Sequence, residues 1–149
     1  MGILLGRHQS MSFMSRSQQR EHIFKLLFQI ESIKPEDYEE HFQNYLDEQE
    51  KVSEENKESL KARTNEILPQ LSEIDKQLNE KASGWKTTRM NKVDLAILRL
   101  AVYEMMFDDD VPVGVAINEG VELAKKYSGD DGPAFVNAVL AKFAQDAKP

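Results

Sequence analysis

Arg16, Gln19 and Arg20 are polar residues whose types and spacing suit contact with an anion. Arg16 and Arg20 are four residues apart, so in a helix they lie on one face, close to its first turn. The positive end of the helix dipole adds to the attraction of two guanidinium groups for phosphate. On spacing alone, however, ordinary surface arginines of a soluble helix are the favoured interpretation, and phosphate binding is a hypothesis.

A second candidate group surrounds the turn sequence Asp131-Gly132-Pro133. Phe135 comes early in the helical pattern that follows, where an aromatic ring is able to stack on a nucleobase. By pattern alone such a ring is more often a core residue. Asp131 alone is typical of a helix cap, and Asn137 fits either a contact to a neighbouring loop or a contact to RNA.

The acids and histidines form no recognisable catalytic or metal-binding pattern. Asp108 to Asp110 are consecutive, whereas a calcium loop needs ligands at alternating positions and a closing glutamate, so a loop after a helix is favoured. His8, His22 and His41 lack the spacing of zinc ligands. No nucleophile stands beside a base, and there is no glycine-rich phosphate loop. We therefore predict no catalytic residue, no metal site, no cofactor and no enzymatic activity.

Length and charge set further limits on function. The 149 residues suit one domain or two small subdomains, and the absence of cysteine excludes disulfides. The formal net charge is −7. Because phosphate contacts dominate nucleic-acid affinity, an acidic chain that binds RNA needs a local basic patch and help from a basic partner. No apolar run approaches the roughly 20 residues of a membrane span, so we expect no membrane contact and, by default, a cytoplasmic location.

The elements that must position these residues are predicted to be helices. Apolar residues recur at helical spacing from Ser15 onward, which predicts an all-α fold of six to seven helices. The buried stripe of the first helix is expected to be widened by Phe24 and Phe28. Its other members are Ile23, Leu26, Leu27 and Ile30. Pro69 lies inside the third helical pattern, where it predicts a kink or a break.

The carboxyl-terminal half contains the strongest helical patterns. A helix predicted from about Asn91 to Phe107 is apolar on nearly every side, which is typical of a central, buried helix. Gly120 in the next helix would let a neighbouring helix come close. That next helix is predicted to end at Ser128-Gly129 in a left-handed C-cap.

The predicted domain organisation has a leader and one helical domain. Residues 1–14 are expected to be a disordered leader, and residues 15–149 form the helical domain. Ser83-Gly84 is the predicted boundary between an N-terminal subdomain, about 15–84, and a C-terminal subdomain, about 85–149.

The segment from Lys92 to Ala144 carries a family resemblance. Its motifs VDLAILRLAVYEM, DDVP, VAINEGVELAKKY and FVNAVLAKF occur in the order and spacing that are typical of the NusB family. Nearer the amino terminus, Arg20-Glu21 followed by IFKLLFQIE is similar to the first helix of that family. The resemblance runs from Ser15 to the carboxyl terminus and is weaker over residues 32–81. It implies two antiparallel helical bundles packed together.

The resemblance also implies a function. NusB proteins are RNA-binding transcription antitermination factors that support ribosomal RNA synthesis. They bind boxA-type leader RNA as a heterodimer with NusE, a small-subunit ribosomal protein, and join the RNA polymerase antitermination complex. Some members self-associate, so a homodimer is a further expectation. The rival hypothesis is a helical protein–protein interaction module without significant RNA affinity of its own. The excess of acidic over basic residues suggests this alternative.

Family contact positions transfer to this sequence as follows. The arginine-rich stretch of the first helix falls on residues 16–20, which hold only two arginines here. The RNA-contacting acid before the last helix and the aromatic within it fall on Asp131 and Phe135. The residue before that aromatic, basic in other members, is Ala134 here. The partner-facing positions are Phe28 and Asp94.

Overall fold

The structure, a computed structural model, describes residues 14–82 and 84–146. Within these ranges the chain forms seven α-helices, short 3-10 turns and no β-strand, so the predicted all-α class is confirmed. The helices are α1 (Arg16–Gln29), α2 (Tyr38–Asp47), α3 (Glu54–Ile67), α4 (Leu71–Lys81), α5 (Lys92–Phe107), α6 (Val113–Tyr127) and α7 (Gly132–Asp146). Apart from Met14, the expected leader lies outside the described residues.

Two prolines determine where helices begin and break. Pro35 opens the 3-10 turn Pro35–Asp37 that leads into α2, a position where its missing N–H has no helical partner to lose. Pro69 lies in the 3-10 turn Leu68–Gln70, which separates α3 from α4. A proline inside a helix removes one hydrogen bond and clashes with the preceding turn. The break predicted at Pro69 is therefore confirmed.

The chain divides into two compact units, one ending at Glu66 and the other beginning at Ile67. The division thus lies close to the Pro69 break, whereas the sequence placed a subdomain boundary at Ser83-Gly84. The physical reason is that α4 contacts α5 and α7, which groups this helix with the carboxyl-terminal unit.

The first unit buries the stripe predicted for α1. Its members, Ile23, Leu26, Leu27 and Ile30, are at most 5% exposed. Phe24 joins them, as do Phe42 of α2 and Leu60 of α3. Full burial of one such side chain contributes about 1.5–3 kcal/mol, so these residues dominate the stability of the unit.

The second unit is built around α5. Every residue of this helix from Asp94 to Met105 is buried, and α5 contacts α4, α6 and α7. The prediction of a central helix is confirmed. Gly120 lets α6 approach closely, because a Cβ atom there would lie 3.1 Å from Leu140 Cδ1 and 3.5 Å from Ala101 Cβ.

A salt bridge between Arg99 and Asp75 joins α5 to α4 inside this unit. Arg99 is 8% exposed, and its Nε donates to Asp75 Oδ1 at 2.9 Å while Nη2 donates to Oδ2 at 2.7 Å. Two parallel charge-assisted hydrogen bonds of this kind fix the orientation of both side chains. The pair therefore sets how α4 lies along the central helix.

Candidate functional site

The start of α1 is fixed by a reciprocal cap. Ser15 Oγ accepts a hydrogen bond from the Gln18 N–H at 3.1 Å, and Gln18 Oε1 accepts one from the Ser15 N–H at 2.9 Å. This capping box satisfies two backbone donors that the helix itself leaves unpaired. The predicted start near Ser15 is confirmed, and the positions of Arg16 and Arg20 follow from it.

The two arginines of α1 differ in exposure. Arg16 is exposed, whereas Arg20 is only 6% exposed. Between them, Gln19 is half-buried, and its side-chain amide donates to the Met14 carbonyl at 3.3 Å. The interpretation of both arginines as ordinary surface residues is therefore wrong for Arg20. Of the two, Arg16 has the guanidinium that solvent and anions reach readily.

Phe28 also departs from the pattern expected for α1. The sequence placed it beside Phe24 on the buried stripe, but Phe28 is 41% exposed while Phe24 is 4% exposed. The two residues are four positions apart, so they share a side of the helix at different heights. Burial of that side ends before the last turn of α1, which leaves the Phe28 ring on the surface.

The second unit contains a pocket of about 400 Å³. Its lining comprises Trp85, Met90, Asn91, Asp94, Ser128, Gly129, Asp130, Asp131, Gly132 and Phe135. We call it the Trp85–Phe135 pocket. Three predicted contact residues, Asp94, Asp131 and Phe135, come together here. Asn137 is exposed on α7 and is absent from this lining.

One wall of the pocket is a turn held by three residues. Asp94, 8% exposed on α5, accepts a hydrogen bond from Ser128 Oγ at 2.5 Å. A Cβ atom on Gly132 would overlap the Ser128 side chain and lie 3.3 Å from Asp94 Oδ1. Only glycine therefore lets α7 begin so close to the end of α6. The carboxylate of Asp94 is used within the fold and is nearly covered.

The same turn corrects the predicted end of α6. The helix ends at Tyr127, and its C-cap is Ser128, whose backbone is extended at φ −95° and ψ 172°. Gly129 does not adopt the left-handed conformation that the sequence predicted. The Ser128 N–H donates to the Ala124 carbonyl at 2.8 Å and closes the last turn of the helix, while the Ser128 hydroxyl donates to Asp94.

Another wall is Trp85, for which the sequence patterns predicted no role. Gly84 has a φ of +81°, a conformation that favours glycine, and the Trp85 N–H donates to the Ala82 carbonyl at 2.9 Å. The Trp85 ring stands edge to face with the Phe135 ring, with centroids 5.4 Å apart and planes at 63°. Trp85 is 54% exposed. The signal in the sequence that could have singled out Trp85 was a lone tryptophan directly after a glycine.

Charge is unevenly distributed around the pocket. Three carboxylates, those of Asp94, Asp130 and Asp131, line it, and the latter two are exposed. Lys86 and Arg89, also exposed, belong to the short segment between Trp85 and α5. The pocket therefore offers mainly hydrogen-bond acceptors, while cations lie beside it along the chain.

The first unit contains a smaller and more polar cavity of about 230 Å³. His22 of α1 lines it, and His22 Nδ1 lies 2.8 Å from the Tyr45 hydroxyl. Burial lowers the pKa of His22 below its usual value, the charge of Lys25 lowers it further, and Glu21 opposes both. The uncharged imidazole is thus favoured.

The acidic sequence Asp108 to Asp110 forms the predicted loop after α5. The Asp110 N–H donates to Asp108 Oδ1 at 3.0 Å, so one carboxylate stabilises the turn itself.

No helix in the described part of the chain combines the length and the apolar character needed to cross a membrane.

Comparison with known proteins identifies the family. The model of the NusB family matches residues 17–145. The chain belongs to the NusB family. Transcription antitermination protein NusB of Lachnoclostridium phytofermentans is 50% identical over 129 residues, covering 87% of this chain and 98% of that protein. The protein of the same name from Agathobacter rectalis is 48% identical over 131 residues, covering 88% and 100%.

Solved structures share the fold. T. maritima NusB (P3121, Form 2) matches with a TM-score of 0.80 and 34% identity, covering 91% of this chain and 94% of that one. A chain in a structure described as "Crystal Structure of a Plectonemic RNA Supercoil" matches with a TM-score of 0.76 and 25% identity, covering 89% and 96%. The NusB-like fold that the sequence predicted is confirmed.

The NusB match covers most of the predicted contact residues. Arg16 lies one residue before the matched range, whereas the others lie inside it. The others are Gln19, Arg20, Phe28, Asp94, Asp131, Phe135 and Asn137. Their individual contacts with RNA or with a protein stay predictions.

Proposed function

We propose that this chain is a non-enzymatic, RNA-binding transcription antitermination factor. Its relatives over nearly the whole chain are named transcription antitermination proteins. The observation that carries the RNA-binding part is the Trp85–Phe135 pocket, where Asp131 and an accessible aromatic pair lie together. Because such a factor acts on nascent transcripts, the proposal also places it in the cytoplasm.

The proposed RNA is a boxA-type leader element read in single-stranded form. Unstacked bases are recognised by stacking on aromatic side chains and by hydrogen bonds to their edges, and the pocket has groups suited to both. Arg16, exposed at the positive end of α1, is the candidate for a phosphate contact. Gln19 and Asn137 remain candidate RNA contacts. Arg20 is buried, so we expect it to contribute less to RNA binding than its spacing from Arg16 suggested.

The proposed protein partner is NusE, the basic small-subunit ribosomal protein. A chain with a net charge of −7 attracts such a partner over long range and gains cations for RNA binding once the two associate. Phe28 offers an exposed aromatic ring for that interface. Asp94 is nearly covered, so we propose that it acts mainly by holding the turn at Ser128. Entry into the RNA polymerase antitermination complex, and a possible homodimer, belong to the same proposal.

The test is a titration of labelled boxA-type RNA at one fixed salt concentration. We expect weak binding by the chain alone, weak binding by NusE alone and much tighter binding by the mixture. If the isolated chain binds as tightly as the mixture, a composite surface is not needed. If the mixture binds no tighter than NusE alone, the chain is a protein-interaction module, the alternative that the burial of Arg20 favours.

A further inference from the structure

We propose that the far end of the α5–α6 pair docks a basic segment of a second protein partner, one that carries a large apolar side chain between lysines or arginines. This end consists of Phe107, the loop of residues 108–112 and Val115, and we call it the Phe107–Val115 corner. The partner is distinct from NusE, whose proposed contact is Phe28 in the first unit, whereas the corner belongs to the second unit. The inference goes beyond the proposed function and does not depend on RNA binding.

Two large apolar side chains are exposed at this corner. Phe107 is the last residue of α5 and is 40% exposed, and Val115, in the first turn of α6, is 43% exposed. Only residues 108–112 join the two packed helices, and the Val111 N–H donates to the Asp108 carbonyl at 3.2 Å, which closes the turn. Both apolar side chains therefore lie at the same end of the helix pair.

The Phe107 ring stands on an ordered support. Its centroid lies 5.5 Å from that of the Tyr103 ring, with the planes at 34°, and Tyr103 is only 5% exposed. The loop is held by Val111, which is 6% exposed, and by the hydrogen bond from the Asp110 N–H to Asp108 Oδ1. A surface that is already ordered loses little conformational freedom when a partner binds, so more of the contact energy becomes affinity.

Charge around the corner is of one sign. From residue 100 to residue 124 the sequence has six acidic residues and no lysine, arginine or histidine, so this segment has a formal charge of −6, against −7 for the whole chain. Half of these acids, Asp108, Asp109 and Asp110, form the loop that follows Phe107, and Asp109 and Asp110 are exposed. The resulting field attracts a cationic partner and speeds its association.

The combination of apolar and acidic groups selects one kind of occupant. The exposed pair offers a place where a partner's large side chain is removed from water, and the acidic loop attracts the cations on either side of that side chain. RNA does not fit, because its phosphates would meet carboxylates. A symmetric contact with a second copy does not fit either, because the same corner of both chains would place acids against acids. We expect a weak association that is sensitive to salt.

The probe is a short lysine-rich peptide with one central leucine, titrated at low salt into the full chain labelled for amide NMR. The amide signals of residues 106–116 should shift, and the others should shift less. A peptide with serine in place of leucine should bind about tenfold more weakly, because one partly buried apolar side chain is lost. A glutamate-rich peptide with the same leucine should not bind. Salt raised from about 0.05 M to about 0.5 M should weaken binding of the lysine-rich peptide.

Variants separate the apolar from the electrostatic contribution. Phe107→Ala should weaken peptide binding about tenfold and Phe107→Leu should retain most of it, with helicity checked by circular dichroism. Val115→Ala, at an exposed helical position that tolerates alanine, should weaken binding several-fold with the fold intact. Asp110→Asn should weaken it about two- to fivefold. Glu80→Gln removes the same charge from an exposed position on α4 and is the matched control, which should bind as the unchanged chain does.

Several outcomes would overturn the assignment. Equal binding of the leucine and serine peptides, or shifts centred outside residues 106–116, would show that the corner does not hold an apolar anchor. Corner signals that shift on dilution of the chain alone would indicate a contact between copies, and corner signals that shift with boxA-type RNA would indicate an RNA surface. Displacement of the peptide by NusE would show that NusE covers the corner and that no separate partner is needed. The RNA titration that tests the proposed function is independent of these results, so either proposal can fail while the other stands.

Discussion

The amino-terminal start of α1 and the Trp85–Phe135 pocket were both expected to contact RNA, but they are built differently. The candidates on α1 belong to one continuous segment, and a single capping box fixes where they stand. The pocket draws its walls from the segment before α5, from α5 itself, from the turn between α6 and α7, and from the first turn of α7. An exposed side chain on one helix, such as that of Arg16, can be replaced with little effect on its neighbours. A pocket assembled from separated segments depends on the contacts that hold those segments together.

The largest expected effect is that of Gly132→Ala, because the added methyl group overlaps the Ser128 side chain. We expect the free energy of unfolding to fall by about 1–3 kcal/mol, the usual cost of overpacking, and binding of boxA-type RNA with NusE to weaken. Urea denaturation and an RNA titration measure the two effects.

Gly129→Ala is the matched control in the same turn. A Cβ atom there meets nothing within 4 Å, and the residue is not left-handed, so stability should change by less than about 0.5 kcal/mol. Similar losses from both alanines would show that the turn does not depend on the contact at Gly132.

Phe135→Ala comes next and tests the pocket without disturbing its frame. Removal of one stacking ring should weaken RNA binding by about 1–3 kcal/mol. Phe135 is only half-buried, so the protein should keep its helicity by circular dichroism. Gln145→Ala on the same helix is the control, since that exposed residue is absent from the pocket lining and is not a candidate RNA contact. Loss of helicity in Phe135→Ala would instead support the interpretation of this ring as a core residue.

These two regions also differ in how far the sequence predicted them. The start of α1, the break at Pro69 and the central position of α5 follow from local rules for capping, proline geometry and apolar spacing. The pocket does not follow from such rules, because Trp85 and Phe135 are fifty residues apart and meet only through tertiary packing. The exposure of Phe28 has the same explanation. Helical spacing gives the side of a helix on which a residue lies, but the neighbouring helices decide where burial ends.

Arg16 and Arg20 provide a smaller test, on the α1 side of the comparison. Arg16→Ala should leave stability within about 0.5 kcal/mol and reduce the slope of log affinity against log salt by about 0.7, the value for one phosphate on a single strand. Arg20→Ala should do the reverse. It should lower the free energy of unfolding by about 1 kcal/mol, because its buried stem packs in the first unit, and leave the salt slope nearly unchanged. If both variants change the salt slope equally, burial does not distinguish the two arginines.

The smallest expected effect is the pH dependence contributed by His22 of α1. Burial and Lys25 lower the pKa of His22 in the folded chain, whereas in the unfolded chain it returns to about 6.5. Below about 6.5 the unfolded chain therefore binds the proton more readily than the folded one, and stability falls as the pH drops toward the folded-state pKa. Urea midpoints measured between about pH 7.5 and pH 5.5 should show this loss, and His22→Gln should flatten it. His41→Gln, which retains His22, is the control and should keep the slope. A slope that persists unchanged in His22→Gln would show that a group other than His22 causes it.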